Sequence, residues 1–187
     1  FSEIEYAERL RRLRQAMAEN SLDVVLAFGQ DQMYYFTGYD QIGYSYYQVL
    51  VIHADERPPT FLSREVDRHI IEQTSTVRDL RIWYDDDDND PTELTANIVA
   101  EAGPLKGKSI GVDMQSHGLL PVFYARLADH LAEARLCNAS DLMTDLRLVK
   151  SPAEVDCMRE AGRLFDIGLE AGFDAMRPGV RECDMHA

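Results

Sequence analysis

Five histidines, one isolated aspartate, three cysteines and a crowd of tyrosines are the side chains of this sequence whose types could do chemistry. Spacing decides how far each goes. His53, His69, His117 and His130 are scattered over different predicted elements, so each reads as a packing or surface histidine rather than a metal ligand. Asp113 stands apart. The run SIGVDM at 109–114 reads as a strand, and an aspartate at its carboxyl end, close to His117, falls where α/β sheets place functional groups. A pair alone specifies no reaction. Cys137, Cys157 and Cys183 are odd in number, far apart and without a C-x-x-C pair, which indicates neither a disulfide framework nor a zinc knuckle. They also lack the basic neighbourhood that activates a thiolate, so they read as reduced thiols, with Cys137 buried in a strand. No serine sits in a G-x-S-x-G elbow, and GPLKG at 103–107 lacks the spacing of a phosphate loop. The run DDDDND at 85–90 has the carboxylate density of a calcium loop, but no frame supplies both the glycine at the sixth and the glutamate at the twelfth position. It reads as a solvated acidic loop before a helix starting at Pro91, because carboxylates favour the positive helix N-terminus. No catalytic or metal-ligating residue is therefore assigned.

The densest aromatic stretch is 30–47, with tyrosines at 34, 35, 39, 44, 46 and 47, Phe36, and glycines at 38 and 43. Two readings stand. Either the rings cover a short helix and loop against a sheet, or Tyr39, Tyr44 and Tyr46 project from a glycine-flanked loop as a contact surface, since tyrosine offers a large area with a polar tip at low entropy cost.

The elements that must position these groups alternate along the chain. An amphipathic helix at 4–19, with Ile4, Leu10, Leu13 and Met17 as its stripe, feeds the apolar strand LDVVLAF at 22–28. Strands follow at 46–53 and 60–62, joined by the turn-rich ADERPP and so expected to be antiparallel. Ser63 is expected to cap a helix reaching about Gln73, with Val66, Ile70 and Ile71 facing inward. Further strands at 80–84, 109–114 and 135–138 alternate with helices at 92–102, 119–133 and 142–149. The pattern predicts an α/β domain at 1–147: a mixed β-sheet of about six strands with helices on both faces, followed by a long C-terminal helix.

That last helix opens with Ser151 as N-cap, Pro152 at the first helical position and Glu154 closing a capping box. Apolar or small residues recur at 155, 158, 161, 162, 165, 168, 169, 172, 173 and 176, and the helix is stopped by Arg177-Pro178-Gly179. A second helix is expected from Val180, with Glu182 near its start. A long one-sided helix with no evident partner in the chain suggests that 148–187 is a linker and the truncated start of a further domain.

The balance of 19 basic against 33 acidic residues, a net charge of −14, repels phosphate backbones and anionic membrane surfaces. Nucleic acid is excluded as a partner on that ground. No apolar run approaches the ~20 residues of a membrane span, and FSEIEYAERL has neither a basic nor an apolar leader region, so the expectation is a soluble, cytoplasmic protein.

The runs LVKSPAEV at 148–155, MREA at 158–161 and RPGVRE at 177–182 resemble the linker and first catalytic-domain helices of the creatinase, prolidase and aminopeptidase P family of metallohydrolases. The residues before them, MYYFTGY at 33–39 included, resemble that family's N-terminal domain, which is ribonuclease H-like in fold. The resemblance implies a homodimer in which the region of Tyr39, Tyr44 and Tyr46 lies near the dimer contact and edges the other subunit's active site. It also implies that two divalent metal ions (Mn, Co or Zn), where present, are held by Asp, His and Glu residues downstream of residues 177–179. There they acidify a water that attacks an amide or amidine carbon; some members, creatinase among them, work without metal. No cofactor is expected in these residues. The intact parent is then expected to be a C–N bond hydrolase of small peptides, an Xaa-Pro dipeptidase or aminopeptidase, with a creatinase-like amidinohydrolase of a small molecule second, and this chain alone inert. The rival from another class is a non-catalytic binding module, for which a charge of −14 suits a basic protein partner. A third reading makes the tyrosine stretch a self-association surface only.

Overall fold

Short strands that are apolar at successive positions require cover on both faces, and the chain supplies it. The structure, a computed structural model, describes residues 1–41, 46–86 and 89–185. These divide into two compact units, Phe1–Arg147 and Leu148–Ala187.

The first unit is built on six strands: β1 (Val24–Ala27), β2 (Val49–His53), β3 (Thr60–Arg64), β4 (Asp79–Trp83), β5 (Ser109–Val112) and β6 (Arg135–Asn138), in the spatial order β4-β3-β2-β1-β5-β6. The pairs β1–β5, β5–β6 and β3–β4 are parallel, whereas β2 pairs antiparallel with both β1 and β3. Strand β2 thus runs against the other five. Helices α1 (Glu3–Glu19), α2 (Gln30–Thr37), α3 (Arg68–Thr74), α4 (Pro91–Ala100), α5 (Pro121–His130) and α6 (Ser140–Leu148) join them. Successive side chains of a strand point to opposite faces. Val25, Ala27, Leu50, Ile52 and Phe61 accordingly pack with Leu13, Met17, Phe36, Ile71 and Met143 of α1, α2, α3 and α6. Val24, Leu26, Val51, Leu62 and Val112 pack with Ala96, Val99 and Leu127 of α4 and α5. The α/β sheet with helices on both faces is the one the pattern of elements predicts.

Local departures have local causes. Ser63 does not cap a helix: β3 continues in register with β4 through Ser63↔Ile82 and Arg64↔Trp83, and a 3₁₀ turn, Glu65–Asp67, intervenes before α3. That turn carries Val66 outward, 72% exposed, and Asp67 inward. In α1 the stripe is shifted, with Ile4 exposed and Arg9 buried. The Arg9 guanidinium lies 4.2 Å from the ring centre of Phe1 and 4.4 Å from that of Tyr35, and donates to the Tyr35 carbonyl at 2.8 Å. Planar and weakly hydrated, a guanidinium tolerates such stacking. Asp90 caps α4 by accepting from Thr92 N at 2.9 Å, ahead of Pro91.

The second unit consists of α7 (Pro152–Ala175) and the short α8 (Glu182–Met185). The capping box forms in both directions: Glu154 N donates to Ser151 Oγ at 3.2 Å and Ser151 N to Glu154 Oε2 at 2.8 Å. No residue of α7 is buried, and its apolar side chains Met158, Leu164, Phe165, Ile167, Leu169 and Phe173 are all exposed.

Candidate functional site

Strands β1, β5 and β6 are parallel and adjacent, so the segments leaving their carboxyl ends meet along one edge of the sheet, the usual place for ligands in α/β folds. Gly29 and Gln30 after β1, Asp113, Ser116, His117 and Gly118 after β5, and Ser140 at the start of α6 line a cleft of about 560 Å³ there, with Asp31, Gln32, Gln115 and Thr144 completing it. Asp113 is 1% exposed and accepts from Gly29 N at 3.1 Å. Burial lifts its carboxyl above the ordinary aspartate range, opposed by hydrogen bonds from Ser140 and Gly29. Ser140 is itself held in place: its Oγ donates to Asn138 Oδ1 at 2.7 Å and accepts from Gln115 N at 3.0 Å. Two glycines of the cleft walls are closely approached by their neighbours. A Cβ on Gly29 would stand 1.7 Å from Gln32 Oε1, and one on Gly118 would stand 2.4 Å from the Phe28 carbonyl oxygen.

A second polar group lies farther along the same edge. Asp67 is fully buried; it accepts from Gln41 Nε2 at 2.6 Å, from Ser63 Oγ at 3.2 Å, and from Tyr46 Oη and Gln48 Nε2. Gln48 Nε2 also reaches Tyr39 Oη at 3.0 Å, and Gln48 Oε1 accepts from Gln30 Nε2 at 2.9 Å. Gln30 therefore links the cleft to the Asp67 cluster. Burial, and next the adjacent Asp67 carboxylate, push the Tyr46 phenol up to about 12. Above it, the Arg64 guanidinium stands 5.2 Å from the Tyr46 ring centre and pairs with Asp85.

This geometry corrects the expected aromatic surface. Tyr39 is not on it: its ring is fully buried, 4.9 Å edge-on from Phe61, and its hydroxyl accepts from Gln48 Nε2, so apolar packing and a buried hydrogen bond hold it in the core. Tyr46 is half-buried with its hydroxyl directed inward. Tyr44 lies outside the described residues, as do Asp87 and Asp88 of the acidic run. The histidines stay dispersed. His53 is buried at the end of β2, where burial lowers its pKa; His69 is exposed; His130 stands 3.4 Å from Asp90; only His117 lines the cleft with Asp113. Cys137 is partly buried in β6, its Sγ 3.5 Å from the Ile110 carbonyl oxygen, and Cys157 and Cys183 are exposed. Among the described residues no three His, Cys, Asp or Glu side chains come together as a metal site. Among the same residues no helix is long and apolar enough to cross a membrane.

Architecture and edge cleft together place this protein in the α/β class of mixed-sheet domains covered on both faces. Within that class the chain belongs to the creatinase/prolidase N-terminal domain family, whose model matches residues 9–149. It is similar to an uncharacterized hydrolase/peptidase of Sinorhizobium fredii, 28% identical over 100% of this chain and 49% of that protein. It is also similar to ectoine hydrolase of Halomonas elongata, 30% identical over 96% of this chain and 46% of that protein. In fold it matches the prolidase of Thermococcus sibiricus with a TM-score of 0.79 at 16% identity, over 98% of this chain and 48% of that one. The chain spans about half the length of the curated relatives it matches.

Proposed function

We propose that this chain is the N-terminal part of a C–N bond hydrolase, with residues 148–187 as the linker and first helices of the catalytic domain. The observation that carries the reading is α7: just past residue 149, where the family match ends, a 24-residue helix leaves its apolar face exposed, as a helix does whose partners lie in another domain. Cleavage of Xaa-Pro dipeptides or of the N-terminal residue before proline is the favoured activity. Hydrolysis of a small molecule in the manner of creatinase is the second reading, supported by the 30% identity to ectoine hydrolase. In either case the N-terminal domain serves a cytoplasmic homodimer. The region of Tyr39, Tyr44 and Tyr46 lies near the dimer contact and edges the partner's active site, with Tyr46 held on Asp67. Divalent metal, where the parent uses it, supplies an acidified water; this chain's residues position and shield the substrate and are assigned no step of that chemistry.

The test is to assay the uninterrupted gene product and the 187-residue chain in parallel, with Xaa-Pro dipeptides, creatine and ectoine as substrates. Hydrolysis by the longer product with proline released supports the first reading, and turnover of creatine or ectoine alone supports the second. No turnover of any of the three by the longer product leaves the binding-module reading standing in their place.

A further inference from the structure

We infer that the cleft at the carboxyl ends of β1, β5 and β6 is a binding site for a small ligand carrying a cationic nitrogen, an ammonium or guanidinium group, with Asp113, Gln32 and Gln30 as its acceptors. The inference is independent of the hydrolase reading, since every residue it uses lies in the first unit.

Two side-chain acceptors of the residues lining the cleft are buried without a donor. Asp113 is buried on its floor and accepts from the Gly29 N–H, a neutral donor against a carboxylate, beside a Ser140 hydroxyl that donates to Asn138. Gln32 is 7% exposed, and its Oε1, packed against Gly29, has no hydrogen-bond partner. Gln30 Oε1 is likewise buried without a partner. The orientation of Gln30 is fixed by its surroundings: its Nε2 donates to Gln48 Oε1, while the Gln48 amide nitrogen is held on Asp67, so the free atom at position 30 is the oxygen. A buried acceptor without a donor is rare in folded proteins and marks a place where a donor arrives from elsewhere. The terminal torsion of a glutamine is broad, so a small rotation turns Gln32 Oε1 to a ligand in the cleft.

Charge selects the ligand. Asp31 on the rim already holds the Arg147 guanidinium, a donor group of the class inferred here. Of the helix-terminal N–H groups at the cleft, those of Gly29 and Ser140 are taken by Asp113 and Asn138. A net charge of −14 raises the local concentration of cations and depresses that of anions.

The test titrates the 187-residue chain with methylguanidinium chloride, methylammonium chloride and, for the anion, sodium acetate, following backbone amide shifts by nuclear magnetic resonance. The expected result is saturable binding of at least one cation in the millimolar range, as suits a single polar group, with the shifts centred on Gly29, Gln32 and Asp113. Gln32→Leu and Asp113→Asn should each weaken it at least tenfold. Gln32→Leu should leave the melting temperature unchanged or raise it, because it deletes an acceptor that has no partner in the free protein. Asn at position 113 can still accept from Gly29, so that variant keeps the fold. No saturable shift with either cation, saturation by acetate at the same residues, or equal affinity in wild type and Gln32→Leu would each overturn the inference.

Discussion

Replacing Asp67 by alanine removes a buried acceptor that several side chains share, and the structure says what that costs. Four donors converge on the carboxylate: Gln41, Tyr46, Gln48 and Ser63. Gln48 and Ser63 are buried, but Gln48 Nε2 keeps Tyr39 Oη and Ser63 Oγ as acceptors, whereas Tyr46 and Gln41 are half-buried and can be hydrated. The Ser63 hydroxyl is the buried donor left unpaired, which costs ~1–3 kcal/mol, and Asp67→Ala should destabilise by that amount. For a chain of this size that lowers the melting temperature by roughly 3–10 °C. The same substitution should lower the Tyr46 pKa from about 12 part of the way toward its ordinary value of 10.0, because it removes the carboxylate and leaves the burial, which is the larger cause. Thermal unfolding by circular dichroism measures the first effect and ultraviolet difference titration of the phenols the second. A melting temperature within about 2 °C of wild type, with the phenol titration unchanged, would refute the reasoning, since surface substitutions move stability no more than that.

Other outcomes follow from the same coordinates. Asp113 has a raised pKa in the folded state, so that state binds the proton more tightly than the unfolded chain and stability falls as pH rises from the unfolded value of about 3.8 through the folded value. The melting temperature of Asp113→Asn relative to wild type should therefore climb over that interval and then level off; a difference constant with pH would contradict it. His53 is shifted the other way, by burial first, so its contribution is lost as pH falls below the unfolded value of 6.5, and His53→Gln should flatten that limb of the stability profile. Of the two glycines in the cleft walls, Gly118→Ala should cost more than Gly29→Ala. Its Cβ meets a backbone oxygen, whereas that of Gly29 meets side-chain ends that can rotate away, and overpacking costs ~1–3 kcal/mol when the neighbour cannot move. Chemical denaturation ranks the pair, and the reverse order would count against the wall geometry.

How much of this is legible in the residues differs from element to element. The strand at 135–138 and the helix start at Pro91 read directly, since short apolar runs, an aspartate cap and proline act locally. The capping box of Ser151 and Glu154 reads for the same reason. Ser63 does not, because a serine ahead of Glu65 looks like a cap until β4 comes alongside and prolongs β3; that is a pairing between residues distant in sequence. Tyr39 and Tyr46 are alike in sequence context, yet one is sealed against Phe61 and the other half-buried over Asp67, a choice made by tertiary packing. Asp113 is legible from its place at a strand end. Its companions Gln32 and Ser140 are not, because nothing local marks which polar residues two separate loops bring to one cleft. Asp67 escapes for a related reason: an aspartate before a helix is ordinarily a solvent-facing cap, and here the 3₁₀ turn directs it inward.

The account rests most heavily on the division of labour between a positioning domain and reactive groups that lie elsewhere. The most direct measurement is proline release from Xaa-Pro dipeptides, and turnover of creatine and ectoine, by the purified 187-residue chain beside the uninterrupted gene product at equal concentration. The account predicts turnover by the longer protein and none by the chain. Turnover by the chain itself, abolished in Asp113→Asn, would contradict it and move the reaction into the cleft.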